Sequence, residues 1–168
     1  MIVANPPVQP LGELLTDWRV PPYPSGQPLQ GCFARLEPLR AELHAASLHA
    51  ANSRDVDGRN WTYLPYGPFD SLDAYRSWME SFCAGRDPQF YAIIEQSSGL
   101  ARGVASYLRI TPASGCIEVG HLHFSPPLQR TPAASEAVIL LMKHAFELGY
   151  RRFEWKCDAL NAPSCAAA

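Results

Sequence analysis

The sequence predicts an α+β domain built on a mainly antiparallel sheet flanked by helices. Three observations lead there. Strand-like runs at Phe90–Glu95, Gly103–Ile110 and Cys116–Phe124 are separated by Ser97-Ser98-Gly99 and by Pro112-Ala113-Ser114-Gly115, short turn-forming clusters that suit antiparallel hairpins. A helix with clear ends follows, with Thr131 as N-cap, Pro132 at the first helical position, where a missing N–H costs nothing, and Gly149 as the left-handed stop. The full order reads strand, two helices, three strands, helix, strand and helix start.

Each element has its own warrant. Residues 1–30 form a proline-rich arm, because Pro6, Pro7, Pro10, Pro21, Pro22, Pro24 and Pro28 are too many for a helix or an inner strand. Trp18 and Tyr23 are the side chains that could pin it to the domain, which takes in residues 31–168. Alternation over Gly31–Leu36 predicts the first strand, and Leu39, Leu43, Ala46 and Ala50 line one face of a helix over 39–51. Trp61–Phe69 is aromatic but broken by proline and glycine, so it reads as a loop with side chains available for contacts. Asp70 or Ser71 caps the next helix, in which Leu72, Tyr75, Trp78, Met79 and Phe82 make an apolar stripe. Ala134, Ala137, Val138, Leu141, Ala145 and Leu148 line the buried face of the 132–148 helix. Arg151–Cys157 is a fifth strand, and Asn161-Ala162-Pro163-Ser164 opens a last helix.

Composition narrows the function classes. With 47% hydrophobic and 18% charged residues over 168 positions, the chain suits one globular domain. A net charge of -2 offers no electrostatic footprint for a phosphate backbone, so nucleic acid is not an expected partner. No apolar run approaches the ~20 residues that span a bilayer. Five cysteines without CxxC spacing, and no signal-like opening, point to a reduced, cytoplasmic setting.

The segment Phe124-Ser125-Pro126-Pro127-Leu128-Gln129-Arg130-Thr131-Pro132-Ala133-Ala134 resembles the acyl-CoA loop of the GNAT acetyltransferase superfamily, in which Gln/Arg-x-x-Gly-x-Gly/Ala joins the fourth strand to the main helix. A helix N-terminus with unpaired N–H groups suits a pyrophosphate independently of the family. Pro132 stands where the usual first glycine would be and removes one donor, leaving the amides of Arg130, Thr131, Ala133 and Ala134. Glu118-Val119-Gly120-His121 and Asn161-x-x-Ser164 resemble segments of RimJ/RimL-like N-acetyltransferases. The resemblance covers roughly residues 31–168 and implies a GNAT-like mixed sheet that lacks the family's last strands.

That resemblance implies transfer of acetyl from acetyl-CoA to a primary amine, on a protein N-terminus or a small molecule. A non-catalytic acyl-CoA-binding protein, or an inactive incomplete domain, is the alternative. Glu118 is the candidate general base, His121 a proton relay and Ser164 the donor to the departing thiolate. His123, Phe124, Ser125, Gln129, Arg130, Thr131, Ala133, Ala134 and Asn161 are expected along the coenzyme, and Trp61, Tyr63, Tyr66 and Tyr75 on the acceptor side. Without a bulge, His121 and His123 share the strand face opposite Glu118; a bulge would break that assignment. A metal is not expected. Cys157 and Cys165 have no sequence-evident base and read as inert thiols. An uncovered sheet edge would invite self-association.

Overall fold

The structure, a computed structural model, describes residues 9–168. Six strands form one sheet in chain order: β1 (Leu29–Gln30), β2 (Ala34–Pro38), β3 (Gln89–Glu95), β4 (Leu100–Thr111), β5 (Cys116–Phe124) and β6 (Arg152–Trp155). All neighbours pair antiparallel except β5 and β6, which run parallel because α3 (Pro132–Glu147) crosses over between them. α1 (Ala41–Asn52) and α2 (Leu72–Phe82) lie on the other side of the sheet, and α4 (Ala162–Ala167) follows β6. The α+β architecture is the one the sequence predicts, with β1 as an additional short strand.

Strand alternation divides the interior into two cores. Tyr91 and Ile93 of β3 join Leu36, Tyr107, Ile117, Val119 and Leu141 on the α3 side. Phe90, Ala92 and Ile94 face Leu48, Trp61, Tyr75 and Met79 on the α1/α2 side. The predicted face of α1 is out of phase: Ala41, His44, Ala45, Leu48 and Ala51 are buried, whereas Leu43 is 52% exposed. Five alanines spread around this helix leave its apolar side poorly marked, and tertiary packing selects the face.

The arm meets the domain at Trp18 and from Pro21 onward, while residues 9–17 are exposed; residues 1–8 lie outside the described residues. Tyr23 donates to Arg86 O at 3.0 Å beneath the Arg86 guanidinium, and the Trp18 ring lies so close to Gly115 that a Cβ there would sit 2.2 Å from it. Leu11–Trp18 forms no helix.

Two irregularities in the β4–β5 ladder shape the site. Between Leu108 and Thr111 the β4 strand carries an extra residue, and Arg109 adopts φ 46; between Val104 and Ser106 the extra residue is on β5, and His121 adopts φ 49. Near the second of these, Gly103 pairs with Phe124, and a Cβ on it would lie 2.6 Å from Leu128 Cδ2 and 3.0 Å from His123 O. Gly103→Ala is therefore expected to overpack this junction and cost about 1–3 kcal/mol. A lowered urea midpoint with an unchanged slope would show it.

Candidate active site

β5 meets β6 only over Cys116–Val119, whose partners are Arg152–Trp155. Beyond Val119 the two strands part, and among the described residues no strand pairs with Gly120–Phe124 on the side away from β4. The result is a strand edge without a strand partner in the interior of a sheet, with Phe124 O taken by the Gln129 side chain, leading directly into the Ser125–Thr131 loop and the start of α3. An extended chain with amide groups can pair there as a strand would.

At the end of that edge, Ser125 turns the chain: its N–H and hydroxyl both donate to Arg102 O, and its carbonyl accepts from the amides of Leu128 and Gln129. Arg130 adopts φ 58, and Thr131 caps α3 by accepting from the Ala134 amide on Oγ1 at 3.3 Å. The predicted cradle is narrower than the four amides expected, because the Ala134 N–H is engaged by the cap. Among the described residues the amides of Arg130, Thr131 and Ala133 have no acceptor, and they surround a helix terminus with its partial positive charge. The Gln129 side chain is occupied structurally, donating at 2.9 Å both to Asn60 Oδ1 and to Phe124 O.

The bulge at His121 settles the strand parity. Ile117 and Val119 belong to the α3-side core, and beyond the bulge Leu122 and Phe124 pack against that same core. Glu118, His121 and His123 therefore lie toward α1 and α2, which corrects the regular-strand expectation that the histidines face away from Glu118.

Glu118 is 3% exposed and doubly ion-paired. Arg109 Nε and a terminal guanidinium nitrogen each donate to one of its oxygens at 2.9 Å, a bidentate pair, and Lys156 Nζ donates to Oε2 at 2.5 Å. Both oxygens are engaged by cations, an arrangement that bears against a direct proton-accepting role. Lys156 is also held by Glu154.

His121 has the freer base. Its Nδ1 lies 2.7 Å from Ser106 Oγ, and that hydroxyl lies 3.2 Å from Gly120 O. A carbonyl only accepts, so the arrangement that satisfies all three groups has Ser106 donating to Gly120 O and Nδ1–H donating to Ser106, leaving the Nε2 lone pair free. Burial, and next the Arg109 charge, hold the imidazole below the ordinary histidine range, against the opposing pull of Glu118. Phe90, Phe82 and Tyr66 surround the ring at centroid distances of 4.9, 5.9 and 6.0 Å.

His123 is held in the core by its side chain. It is 2% exposed and stacked on Trp61 at 3.7 Å, and burial lowers its pKa to about 4. Only its main chain reaches the open edge. Trp61 and Tyr75, at 6% and 1% exposure, are core residues rather than free contact side chains; with Asn52, Asp55 and Phe69 they line a cavity of about 160 Å³. Tyr66 packs against Trp78 with ring centroids 4.3 Å apart and planes tilted by 36°, and the 44%-exposed Tyr63 donates to Leu160 O at 3.0 Å, joining the aromatic loop to the entry of α4.

Asn161 is the N-cap of α4, its Oδ1 accepting from the Ser164 amide at 3.2 Å. Ser164 Oγ accepts from Trp155 Nε1 at 3.0 Å, which leaves its own hydrogen available for donation. Sequence reasoning missed Arg109, Lys156 and Ser106, since their roles depend on strand register and on non-glycine residues with positive φ. Among the described residues no group of three or more His, Cys, Asp or Glu side chains could hold a metal ion, and no helix is long and apolar enough to cross a membrane.

Comparison with known proteins gives this geometry a family. Residues 34–168 match the acetyltransferase (GNAT) domain. The crystal structure of a probable GNAT-family acetyltransferase from Chromobacterium violaceum ATCC 12472 is 43% identical with a TM-score of 0.86, over 98% of this chain and 82% of that one. A GCN5-related N-acetyltransferase from Brucella melitensis is 38% identical with a TM-score of 0.88, over 92% of this chain and 70% of that one. RimL, a ribosomal L7/L12 α-N-protein acetyltransferase in complex with coenzyme A, shares the fold at 20% identity and a TM-score of 0.66, over 84% of this chain and 80% of that one. No curated protein matches the chain. The comparisons do not support the expected loss of the family's last strands. With a family match over most of its length and two solved relatives above 30% identity, the chain belongs to the GNAT acetyltransferase family.

Proposed function

We propose that this chain transfers an acetyl group from acetyl-CoA to a primary amine, on a protein N-terminus or a small molecule. The observation that carries this reading is the open β5 edge from Gly120 to Phe124, running into the unpaired amides of Arg130, Thr131 and Ala133. Such an edge suits the amide-bearing pantetheine arm, and the helix start suits the pyrophosphate. The coenzyme complex of the RimL fold relative is consistent with it.

Bound acetyl-CoA supplies an acyl thioester as electrophile, which requires a neutral amine and a proton for the departing thiolate. His121 Nε2 accepts the proton of the attacking amine, with Ser106 fixing the tautomer from behind. Glu118, clamped by Arg109 and Lys156, contributes a fixed charge beside His121 in place of the base role expected from the sequence. Ser164 Oγ, its acceptor side engaged by Trp155, donates toward the thiolate. Tyr63 and Tyr66 lie on the acceptor side.

Calorimetric titration of the chain with CoA tests the binding half of the reading. Saturable heat is expected, with a stabilisation of about 2.7 kcal/mol when CoA is present at ~100 times its Kd. The absence of both heat and a thermal shift at millimolar CoA would exclude it.

A further inference from the structure

Of the five cysteines, Cys83 is buried, and among the described residues neither Cys32 nor Cys116 is hydrogen-bonded to another cysteine sulfur. Cys157 and Cys165 differ: both are exposed, and their sulfurs face each other at 3.6 Å. A disulfide needs ~2.05 Å between sulfurs. Closing the remaining gap takes rotation of one or both side chains, and both are exposed. Cys157 follows β6, and Cys165 sits in the short helix α4. Between them, the Asn161 amide donates to Asp158 O at 2.9 Å and its side chain caps Ser164, so the intervening turn holds the two thiols in register.

We propose that Cys157 and Cys165 form a dithiol site that exchanges with small-molecule disulfides and closes to an intramolecular bridge across the 158–164 turn. The chemistry balances without any further reactant. The Cys157 thiolate attacks one sulfur of a small disulfide, forming a mixed disulfide and expelling the first small thiolate. The Cys165 thiolate then attacks the Cys157 sulfur, forming the Cys157–Cys165 bond and expelling the second. Two cysteine thiols are oxidised, one small disulfide is reduced to two thiols, and the two protein protons pass to the leaving thiolates. Hydrogen bonding to Cys157, and then burial, push the Cys165 thiol up, and the exchange balances equally with the two sulfurs interchanged. A bridge over so short a loop and at an exposed position is readily re-reduced, as an exchanging site requires and a structural staple does not. Once closed, it would tie the end of β6 to α4 across the turn that carries Asn161 and Ser164.

Glutathione disulfide is the probe. The full chain is equilibrated in mixtures of oxidised and reduced glutathione, free thiols are trapped by alkylation, and the peptides are mapped by mass spectrometry. The exposed Cys32 is the internal control. The 157–165 bridge is expected at an oxidised-to-reduced ratio about tenfold lower than glutathionylation of Cys32, since a second thiol beside the first makes closure intramolecular. In Cys157→Ser and Cys165→Ser, each checked for an unchanged melting curve, reaction should stop at one glutathione on the remaining cysteine. Equal glutathionylation of Cys32, Cys157 and Cys165 without a bridge would overturn the proposal. So would alkylation of both thiols at every ratio, or a bridge between any other pair.

Discussion

His121→Ala is expected to lower kcat for amine acetylation about 100-fold while leaving the affinity for CoA unchanged. That loss corresponds to about 2.7 kcal/mol of transition-state stabilisation. It follows from geometry: His121 presents the free Nε2 on the α1/α2 side of β5, whereas both Glu118 oxygens are occupied by Arg109 and Lys156. The pH dependence gives a second readout. Because the imidazole is held below the ordinary histidine range, its neutral, proton-accepting form predominates at neutral pH. The acid limb of kcat/KM should therefore fall below the usual histidine value of about 6.5 and vanish in the alanine variant. Ser106→Ala should cost about tenfold and displace that limb, and Ser106→Thr, which keeps the hydroxyl, should restore it. The opposite pattern, a near-normal His121→Ala and a 100-fold slower Glu118→Gln, would return the base to Glu118.

Much of the frame was legible because it rests on local chemistry. Thr131, Pro132 and Gly149 mark α3 within a residue of its observed ends, and the two turn clusters place β3, β4 and β5 closely. The site was less legible because it depends on pairing. Arg109 and His121 take positive φ without being glycine, and each follows from a mismatch between two strands that neither strand encodes alone. A regular strand would have set His121 and Glu118 on opposite faces; the extra residue brings them to one. The aromatic loop shows the converse limit. Trp61 reads as a contact residue on polarity and punctuation, yet the large ring fills the space between β5 and α2 and stacks on His123. Burial of that kind is a property of the assembled core, and alternation along one segment does not carry it.

The second large effect concerns the support beneath the site. Glu136, on α3 just beyond its first turn, accepts the amides of Cys32, Phe33 and Ala34 at 2.8, 2.6 and 2.7 Å, pinning the β1–β2 turn to the helix that begins at the candidate pyrophosphate cradle. Gly31 packs against the carboxylate so closely that a Cβ would lie 2.5 Å from it. Glu136→Ala strands three donors. Those of the exposed Cys32 and Phe33 can turn to water, but Ala34 is 0% exposed and its N–H has no substitute. A loss of about 3 kcal/mol is expected, since hydrogen bonds to charged groups are worth ~1.5–3 kcal/mol each and two of the three donors are re-solvated. At roughly 2–4 °C per kcal/mol for a chain of this size, Tm should fall by about 6–12 °C. Burial opposes ionisation of Glu136, but the three backbone donors outweigh it and hold the pKa below the ordinary carboxylate value. With a folded pKa below the unfolded one, the ionised carboxylate stabilises the fold fully above about pH 5 and loses that contribution as pH falls through the folded pKa. The difference in Tm between the native chain and Glu136→Ala should therefore be constant from pH 5 to neutrality and shrink on further acidification. A difference independent of pH would show that the carboxylate's charge is not what holds the turn, and a Tm within about 2 °C of the native chain would show that water replaces all three bonds.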